Sequence, residues 1–208
     1  MLFLANICDA EARALDFAQT HREELYVLLL ELVGAESENM IFSGNERACA
    51  EIAARVYGTL GLETETYMPD DVPGILTHPD YMPGRGTDAR PNVSAVWRGA
   101  GAGAGVMLAA HTDTMPIGDR AAWTVDPLGE RKDGRIYGRG SGDNKFGIAS
   151  AAFAVRALQA CGIRLKKDVV LTAYADEEYG GGNGTLAACL KYRCASYVNL
   201  DGGNYEIW

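Results

Sequence analysis

Cysteine pairs are missing from this 208-residue chain, and their absence excludes two classes of protein. The five cysteines are odd in number and include no CxxC spacing. A zinc knuckle would require such pairs, and a disulfide framework would require an even set. We therefore expect reduced thiols, a reducing compartment and a cytoplasmic location.

The chain also lacks a positively charged stripe and a long apolar run. Its formal net charge is −9, so we expect neither nucleic acid nor an anionic membrane surface as a partner. The longest strongly apolar run, residues 26–33, contains a glutamate and is too short to span a bilayer. The amino terminus has no basic region, so we expect no signal peptide. The acidity either serves solubility or reflects carboxylates that hold bound cations.

What the chain does contain is an alternation of helix-like and strand-like segments, recognised from apolar spacing and from turn residues. Helices are predicted at residues 9–33, 45–60, 144–160 and 185–192, and strands at residues 62–68, 92–99, 106–110, 168–175, 195–201 and, as a short piece, 134–140. Residues 68–91 hold five of the seven prolines and are predicted to form a long surface loop or small excursion. This order predicts an α/β fold with a largely parallel sheet.

Chemically active side chains follow three of these predicted strands. His111 and Asp113 end the strand at 106–110, the acidic run 176–178 ends the strand at 168–175, and Asp201 ends the strand at 195–201. Ligands bind at the carboxyl ends of strands in such folds, so these groups are expected to converge at one edge of the sheet.

His111 and Asp113 carry the strongest local signal. A lone histidine is more often a buried core residue, but the two positions are two apart and so face the same side of a strand. Asp113 can then contact one ring nitrogen and leave the other for a metal ion. His21 and His78 lack such neighbours and are assigned to no site.

Each of the other acidic groups has a plainer interpretation. Asp143 precedes a predicted helix and could simply cap it, although the glycines around it let the backbone approach a ligand closely. Asp201 could be a turn residue before two glycines. The run 176–178 could be a solvated turn, but three carboxylates after a buried strand repel one another unless a cation lies among them.

One histidine and several carboxylates suit two hard or borderline divalent ions such as zinc. A carboxylate shared between two metals is typical of many hydrolases, with a free glutamate as general base. Metal-assisted hydrolysis of an amide-type bond is therefore favoured over redox chemistry or phosphoryl transfer. A nucleotide-binding α/β domain is the weaker alternative, because the glycine-rich stretches are in the wrong register for GxGxxG or a P-loop.

Four motifs in this order, HTDTMP, GRGSGDNKFGIASA, YADEEYGGG and NLDGG, resemble the cocatalytic zinc peptidases and deacylases. That family includes acetylornithine deacetylase, succinyl-diaminopimelate desuccinylase, aminoacylase-1 and carboxypeptidase G. The resemblance implies a three-layer catalytic domain with a mostly parallel central sheet flanked by helices. It also implies two Zn²⁺ ions per complete site, with Co²⁺ or Mn²⁺ as possible substitutes.

The resemblance implies a role for each residue of the cluster. His111, Asp143 and Asp201 would bind one zinc, and Asp143 and Glu178 would bind the other, with Asp143 bridging and followed by a cis peptide. Asp113 would orient His111, and Glu177 would be the general base. An aspartate at position 201 is a hint of deacylation rather than carboxypeptidase activity.

The family pattern is incomplete in this chain. The family's lid and dimerisation domain, its carboxy-terminal return segment and the last histidine of the second zinc site have no counterpart, and residues 204–208 look like the start of a strand. We therefore expect residues 1–208 to form a single metallohydrolase catalytic domain that is incomplete at the carboxy terminus. The complete enzyme could be a homodimer.

Two functions remain open at this point. One is an enzyme that hydrolyses an amide bond of N-acyl amino acids or small peptides. The other is a truncated or inactive homologue that binds metal or a partner without catalysis.

Overall fold

A computed structural model describes residues 8–101 and 103–201 of the chain. The helices are α1 (Asp9–Thr20), α2 (Arg22–Gly34), α3 (Arg47–Thr59), α4 (Lys145–Ala160) and α5 (Asn183–Lys191). The strands are β1 (Glu63–Tyr67), β2 (Asn92–Trp97), β3 (Ala104–His111), β4 (Glu130–Lys132), β5 (Arg135–Tyr137), β6 (Asp168–Tyr174) and β7 (Ser196–Asn199). The predicted strand at 204–208 and the expected absence of a signal peptide concern residues that lie partly or wholly outside this description.

Five strands form the central sheet in the order β1-β2-β6-β3-β7. Strand β2 is antiparallel to both of its neighbours, whereas β6, β3 and β7 pair in parallel. Four of the five strands therefore point in the same direction, and the predicted α/β fold with a mainly parallel sheet is confirmed. Strands β4 and β5 form a separate two-stranded hairpin, and β5 is the part of the extended piece predicted at 134–140 that is strand.

Helices cover both faces of the sheet, which gives the three layers. Leu171 and Ala173 of β6 face a core shared with α2, α3 and α4, while Val170 and Tyr174 face the opposite side with Ala188 of α5. This alternation is the period of two expected of a strand that is buried on both faces.

Helix α4 approaches the sheet unusually closely at its first turn. A Cβ atom added at Gly147 would lie 2.7 Å from the Cβ of Ala110 on β3. The absence of a side chain at position 147 thus allows the start of α4 to lie directly beside the end of β3, where the predicted ligands are found.

One expectation about local structure was wrong. The single helix predicted at residues 9–33 is two helices, interrupted at His21. The His21 ring stacks on Phe17, with 3.9 Å between ring centroids, and its Nδ1 lies 2.9 Å from the Phe17 carbonyl oxygen. The backbone of His21 has a φ of −103° and a ψ of 14°, so the helical path is interrupted at this residue.

The proline-rich segment is the predicted long loop or small excursion, but it does not lie entirely at the surface. It contains two short 3-10 helices, Pro69–Asp71 and Ile75–Thr77, and it places Arg85 and Arg90 in the interior. Buried carboxylates elsewhere in the chain attract these arginines, and a local reading of residues 68–91 cannot reveal such partners. Among the described helices, none combines the length and the apolarity needed to cross a bilayer.

Candidate metal centre

Parallel pairing brings the predicted site residues together at one edge of the sheet. His111, the last residue of β3, is the register partner of Tyr174, the last residue of β6. The turns that follow these two strands therefore start side by side. Strand β7 pairs with β3 as far as Asn199, so Asp201 emerges at the same edge, and Asp143 lies just before α4.

His111 is fully buried at the centre of this cluster. Its Nδ1 lies 2.9 Å from the carbonyl oxygen of Asp113 and 3.4 Å from Asp113 Oδ1, and its Nε2 lies 2.8 Å from Asp143 Oδ1. Burial lowers the pKa of His111, but the hydrogen bonds to Asp113 and Asp143 and the charges of Asp113 and Glu177 outweigh it and raise the pKa to about 11. The predicted contact between His111 and Asp113 is present. The ring nitrogen lies closer to the backbone carbonyl oxygen of Asp113 than to its carboxylate.

Two groups of ligand atoms share His111. One consists of His111, Glu177 and Asp201, and the other of His111, Asp143 and Glu178, with the ligand atoms of each group within 4.8 Å of one another. From His111 Nε2, the Glu177 Oε2 atom is 3.9 Å away and the Asp201 Oδ2 atom is 3.8 Å away. All four predicted metal ligands and the predicted base are thus in one cluster. His21 and His78 belong to neither group.

The charges of this cluster are poorly matched. Burial is the largest cause of a raised pKa at Glu177, Glu178 and Asp201, and the charges of neighbouring acids add to it. The hydrogen bond to His111 lowers the pKa of Asp143. One imidazole faces four carboxylates, so a divalent cation would relieve the repulsion that raises these pKa values. An imidazole nitrogen and carboxylate oxygens are also ligands that zinc accepts, so the residues fit such an ion.

Asp113 lies behind His111 and holds the neighbouring turn. Its carboxylate accepts hydrogen bonds from the backbone N–H of Glu177, at 3.0 and 2.9 Å, and of Glu178, at 3.0 Å. The Asn39 amide donates a further bond of 2.7 Å. Burial raises the pKa of Asp113, but His111 and these donors outweigh it, and the net shift is downward.

A buried ionic cluster that sequence reasoning missed lies beneath the same turn. Arg85 Nε lies 3.1 Å from both carboxylate oxygens of Asp176, and its Nη2 also contacts Asp176. Arg90 Nη2 lies 2.9 Å from Asp176 Oδ1, and Arg90 Nε donates to Glu46 Oε1 at 2.8 Å. These partners are 44 to 91 residues apart in the chain, so no local pattern indicates them.

The backbone around Asp176 turns sharply so that the next two residues face the site. Asp176 has a φ of 63°, in the left-handed region that few non-glycine residues adopt. A Cβ atom at Gly182 would lie 1.6 Å from the Asp176 carbonyl oxygen, so only glycine fits there. The turn places Glu177 and Glu178 in the two ligand groups that share His111.

Asp143 does not cap the helix that follows it. The N-cap of α4 is Asn144, which makes no side-chain capping bond, while Asp143 contacts His111. The peptide bond between Asp143 and Asn144 is cis, as the family resemblance implies. The plainer interpretation of Asp143 as a helix cap is therefore wrong.

Fold and cluster together define a class of protein, namely an α/β domain with a histidine–carboxylate site for divalent cations at the carboxyl edge of its sheet. Residues 107–206 match Peptidase family M20/M25/M40. Succinyl-diaminopimelate desuccinylase of Cereibacter sphaeroides (strain KD131) is 44% identical over 101 residues, which are 47% of this chain and 26% of that protein. The desuccinylase of Methylocella silvestris is 38% identical over 114 residues, 54% of this chain and 29% of that protein.

Solved structures share the fold over a longer part of the chain. Human carnosine dipeptidase 1 has a TM-score of 0.69 at 21% identity, covering 94% of this chain and 42% of that one. The M20 metallo-carboxypeptidase Sso-CP2 of Sulfolobus solfataricus has a TM-score of 0.62 at 20% identity, covering 87% and 38%.

The match to peptidase family M20/M25/M40 covers the segment that carries all four motifs, and it confirms the resemblance inferred from those motifs. The chain spans about a quarter of the length of the curated relatives it matches.

Proposed function

We propose that this chain carries the metal centre of a zinc-dependent hydrolase that cleaves an amide bond of N-acyl amino acids or small peptides. The observation that carries the proposal is the buried His111, which is shared by two groups of carboxylates. The family match supports a metal-dependent hydrolase, and the names of the matched relatives, which are desuccinylases, favour an N-acyl substrate.

In this proposal His111, Asp143 and Asp201 would hold one zinc ion, and Asp143 and Glu178 would hold the second, which is the division that the family resemblance implies. The two groups in the structure divide differently, with Asp201 beside Glu177 and Asp143 beside Glu178, each together with His111. Asp143 suits the bridging role because it contacts His111 and also lies within 4.8 Å of Glu178. Zinc bound there would polarise the scissile carbonyl and make a bound water more acidic. Co²⁺ or Mn²⁺ could substitute, since they accept similar ligands.

Glu177 is proposed as the general base. Its backbone N–H is fixed by Asp113, whereas its side chain remains 28% exposed and so can reach a water molecule. Burial and neighbouring acids raise the pKa of Glu177, which makes its carboxylate a better proton acceptor. Glu177 Oε2 would take the proton from the attacking water and pass it to the leaving nitrogen. Asp113 keeps both the His111 ring and this turn in place.

The alternative is a truncated or inactive homologue, a module that binds metal or a partner without turnover. Metal content of the chelator-stripped, zinc-reconstituted chain tests the shared part of both ideas. We expect the wild type to bind zinc and His111→Ala and Asp143→Ala to lose it. Folded wild-type protein without zinc would exclude the enzyme and the metal-binding module, and would leave only a module that binds a partner. The lid domain and the homodimer expected for the complete enzyme stay predictions.

Glu177→Gln separates the enzyme from the metal-binding module. In the zinc-loaded protein, kcat for a chromogenic N-acyl amino acid should fall by about 10²- to 10⁴-fold while zinc content stays unchanged. Glu36→Gln is the matched control, because Glu36 pairs with Arg120 at the surface and belongs to neither ligand group. Zinc binding without any turnover by the wild type would favour the non-catalytic module.

A further inference from the structure

We propose that Asn39 is a positioning residue of this centre, in which one side-chain amide joins the two buried carboxylates on either side of the Glu177–Glu178 turn. The inference deepens the proposed function and rests on it. Asn39 lies between α2 and α3, outside every motif that identified the site, and it is fully buried.

The amide of Asn39 has a partner for each of its polar groups. Nδ2 donates to Asp113 Oδ2 at 2.7 Å and to Asp176 Oδ1 at 3.3 Å, and Oδ1 accepts from the backbone N–H of Ile41 at 2.9 Å. Because carboxylates only accept, the NH₂ group must be the side that faces them. Both hydrogens of the NH₂ group are therefore bonded to the carboxylates of Asp113 and Asp176.

The backbone of Asn39 is held independently of its side chain. Its N–H donates to the Thr114 carbonyl at 2.9 Å, and the Thr114 N–H donates to the Ser37 carbonyl at 3.0 Å. The Ser37 hydroxyl donates to the Thr112 carbonyl at 2.6 Å. These bonds fasten the segment alongside residues 112–114, so replacing the side chain should remove the amide without moving the segment.

Asn39 reaches the centre through Asp113. The oxygen of Asp113 that accepts from Asn39 also accepts from the N–H groups of Glu177 and Glu178. A carboxylate held from both sides cannot rotate about its χ2 bond, and its position sets that of the two acidic residues. A neutral donor also leaves the negative charge of the cluster intact for a cation, whereas a lysine would neutralise it and an aspartate would add repulsion.

Zinc affinity of the full chain, measured by calorimetry, tests this role. Asn39→Ala should weaken binding about 10- to 100-fold, the range typical when a partner behind a metal ligand is lost. The visible spectrum of the cobalt-loaded protein should change as well. Asn39→Ser, with the same expected loss, replaces it if the alanine variant does not fold.

Asn92→Ala is the matched control. Asn92 is equally buried and its amide is also fully bonded, donating to the Gly184 carbonyl at 2.7 Å and accepting from the Ala175 N–H at 3.0 Å, but it contacts no carboxylate. Both variants should lower the melting temperature, and only the change at position 39 should alter zinc affinity and the cobalt spectrum.

A double-mutant cycle with Asp113→Ala tests whether Asn39 affects the metal centre through Asp113. If Asn39 acts through Asp113, the double variant should bind zinc no more weakly than Asp113→Ala alone. Wild-type affinity in Asn39→Ala, equal loss in Asn92→Ala, or additive losses in the cycle would each overturn the inference while the metal site stands. A folded wild type that binds no zinc is a separate result, because it removes the proposed function itself.

Discussion

The two ends of strand β6 carry the same type of side chain in opposite electrostatic settings. At its start, Asp168 accepts from the Gly99 N–H at 2.8 Å and from Arg98 at 2.7 Å. The Gly99 bond and then Arg98 lower the pKa of Asp168. Beyond its other end, burial raises the pKa values of Glu177 and Glu178, with neighbouring acids adding to the effect.

The difference distinguishes carboxylates that are paired with arginines inside the protein from carboxylates that are free to bind a cation. Arg98 also pairs with Glu63 of β1, so Asp168 and Glu63 share a cationic partner within the protein. At the far end, Asp176 is neutralised by Arg85 and Arg90, but Glu177 and Glu178 on the same turn have no cationic side chain beyond His111 among the ion pairs of the described residues. One turn thus combines a carboxylate that is held by two arginines, Asp176, with two carboxylates that lack an arginine or lysine partner.

The largest expected effect is a loss of stability in Asp176→Asn, which removes the buried ion pairs beyond the far end of β6. The substitution leaves Arg85 and Arg90 buried without their shared counter-charge, and breaking a buried pair in this way costs about 3 to 5 kcal/mol. Urea unfolding of the variant and the wild type measures the loss.

Asp168→Asn is the matched change at the other end of β6. It removes one of the two carboxylates that pair with the exposed Arg98, so the loss should be far smaller. Equal losses for the two substitutions would contradict the view that only the far end depends on a buried ionic cluster.

An intermediate effect is expected for Glu46, the other partner of Arg90. Burial is the largest cause that raises the pKa of Glu46 to about 7, although Arg90 opposes it. The folded state therefore favours the protonated carboxyl, and this contribution to stability is complete below pH 4.5 and is lost as the pH rises to about 7. The loss should be on the order of 3 kcal/mol.

Glu46→Gln should remove this pH dependence, because a glutamine does not titrate. Urea unfolding at several pH values between 4.5 and 7.5 compares the two proteins. Asp168→Asn should keep the wild-type slope in this window, since the pKa of Asp168 is shifted downward, away from it. A glutamine variant with the wild-type slope would show that another group is responsible.

The smallest of these effects is expected from adding a divalent cation to the cluster beyond the far end of β6. Zinc at 100 times its dissociation constant should raise the free energy of unfolding by about 2.7 kcal/mol, because it binds only the folded chain. The gain should persist in Asp168→Asn and disappear in His111→Ala. A gain that survives in His111→Ala would place the bound zinc outside the cluster.

Much of the fold could be predicted from the sequence because apolar periodicity is a local property. The strands that end at His111 and Tyr174 were predicted correctly as buried strands, since both are nearly continuous apolar runs. The break at His21 was not predicted, because the apolar periodicity continues through it.

The candidate site divides in the same way. His111, Asp113, Glu177 and Glu178 could be named because reactive side chains directly follow apolar runs, where the chain leaves the sheet. Asn39, Arg85 and Arg90 could not be named. Their own segments look like ordinary polar loop, and their partners lie far away along the chain.

The sequence by itself therefore determined most of the elements that form, the residues that stand at the strand ends and the family that the motifs resemble. Only the tertiary structure decided how those ends are held, that Asp143 faces His111 instead of capping α4, and that Asn39 joins Asp113 to Asp176. The physical reason is the distance along the chain over which each effect acts. Hydrophobic periodicity acts over a few residues, whereas buried charges are satisfied by whichever donors the folded chain brings within about 3 Å of them.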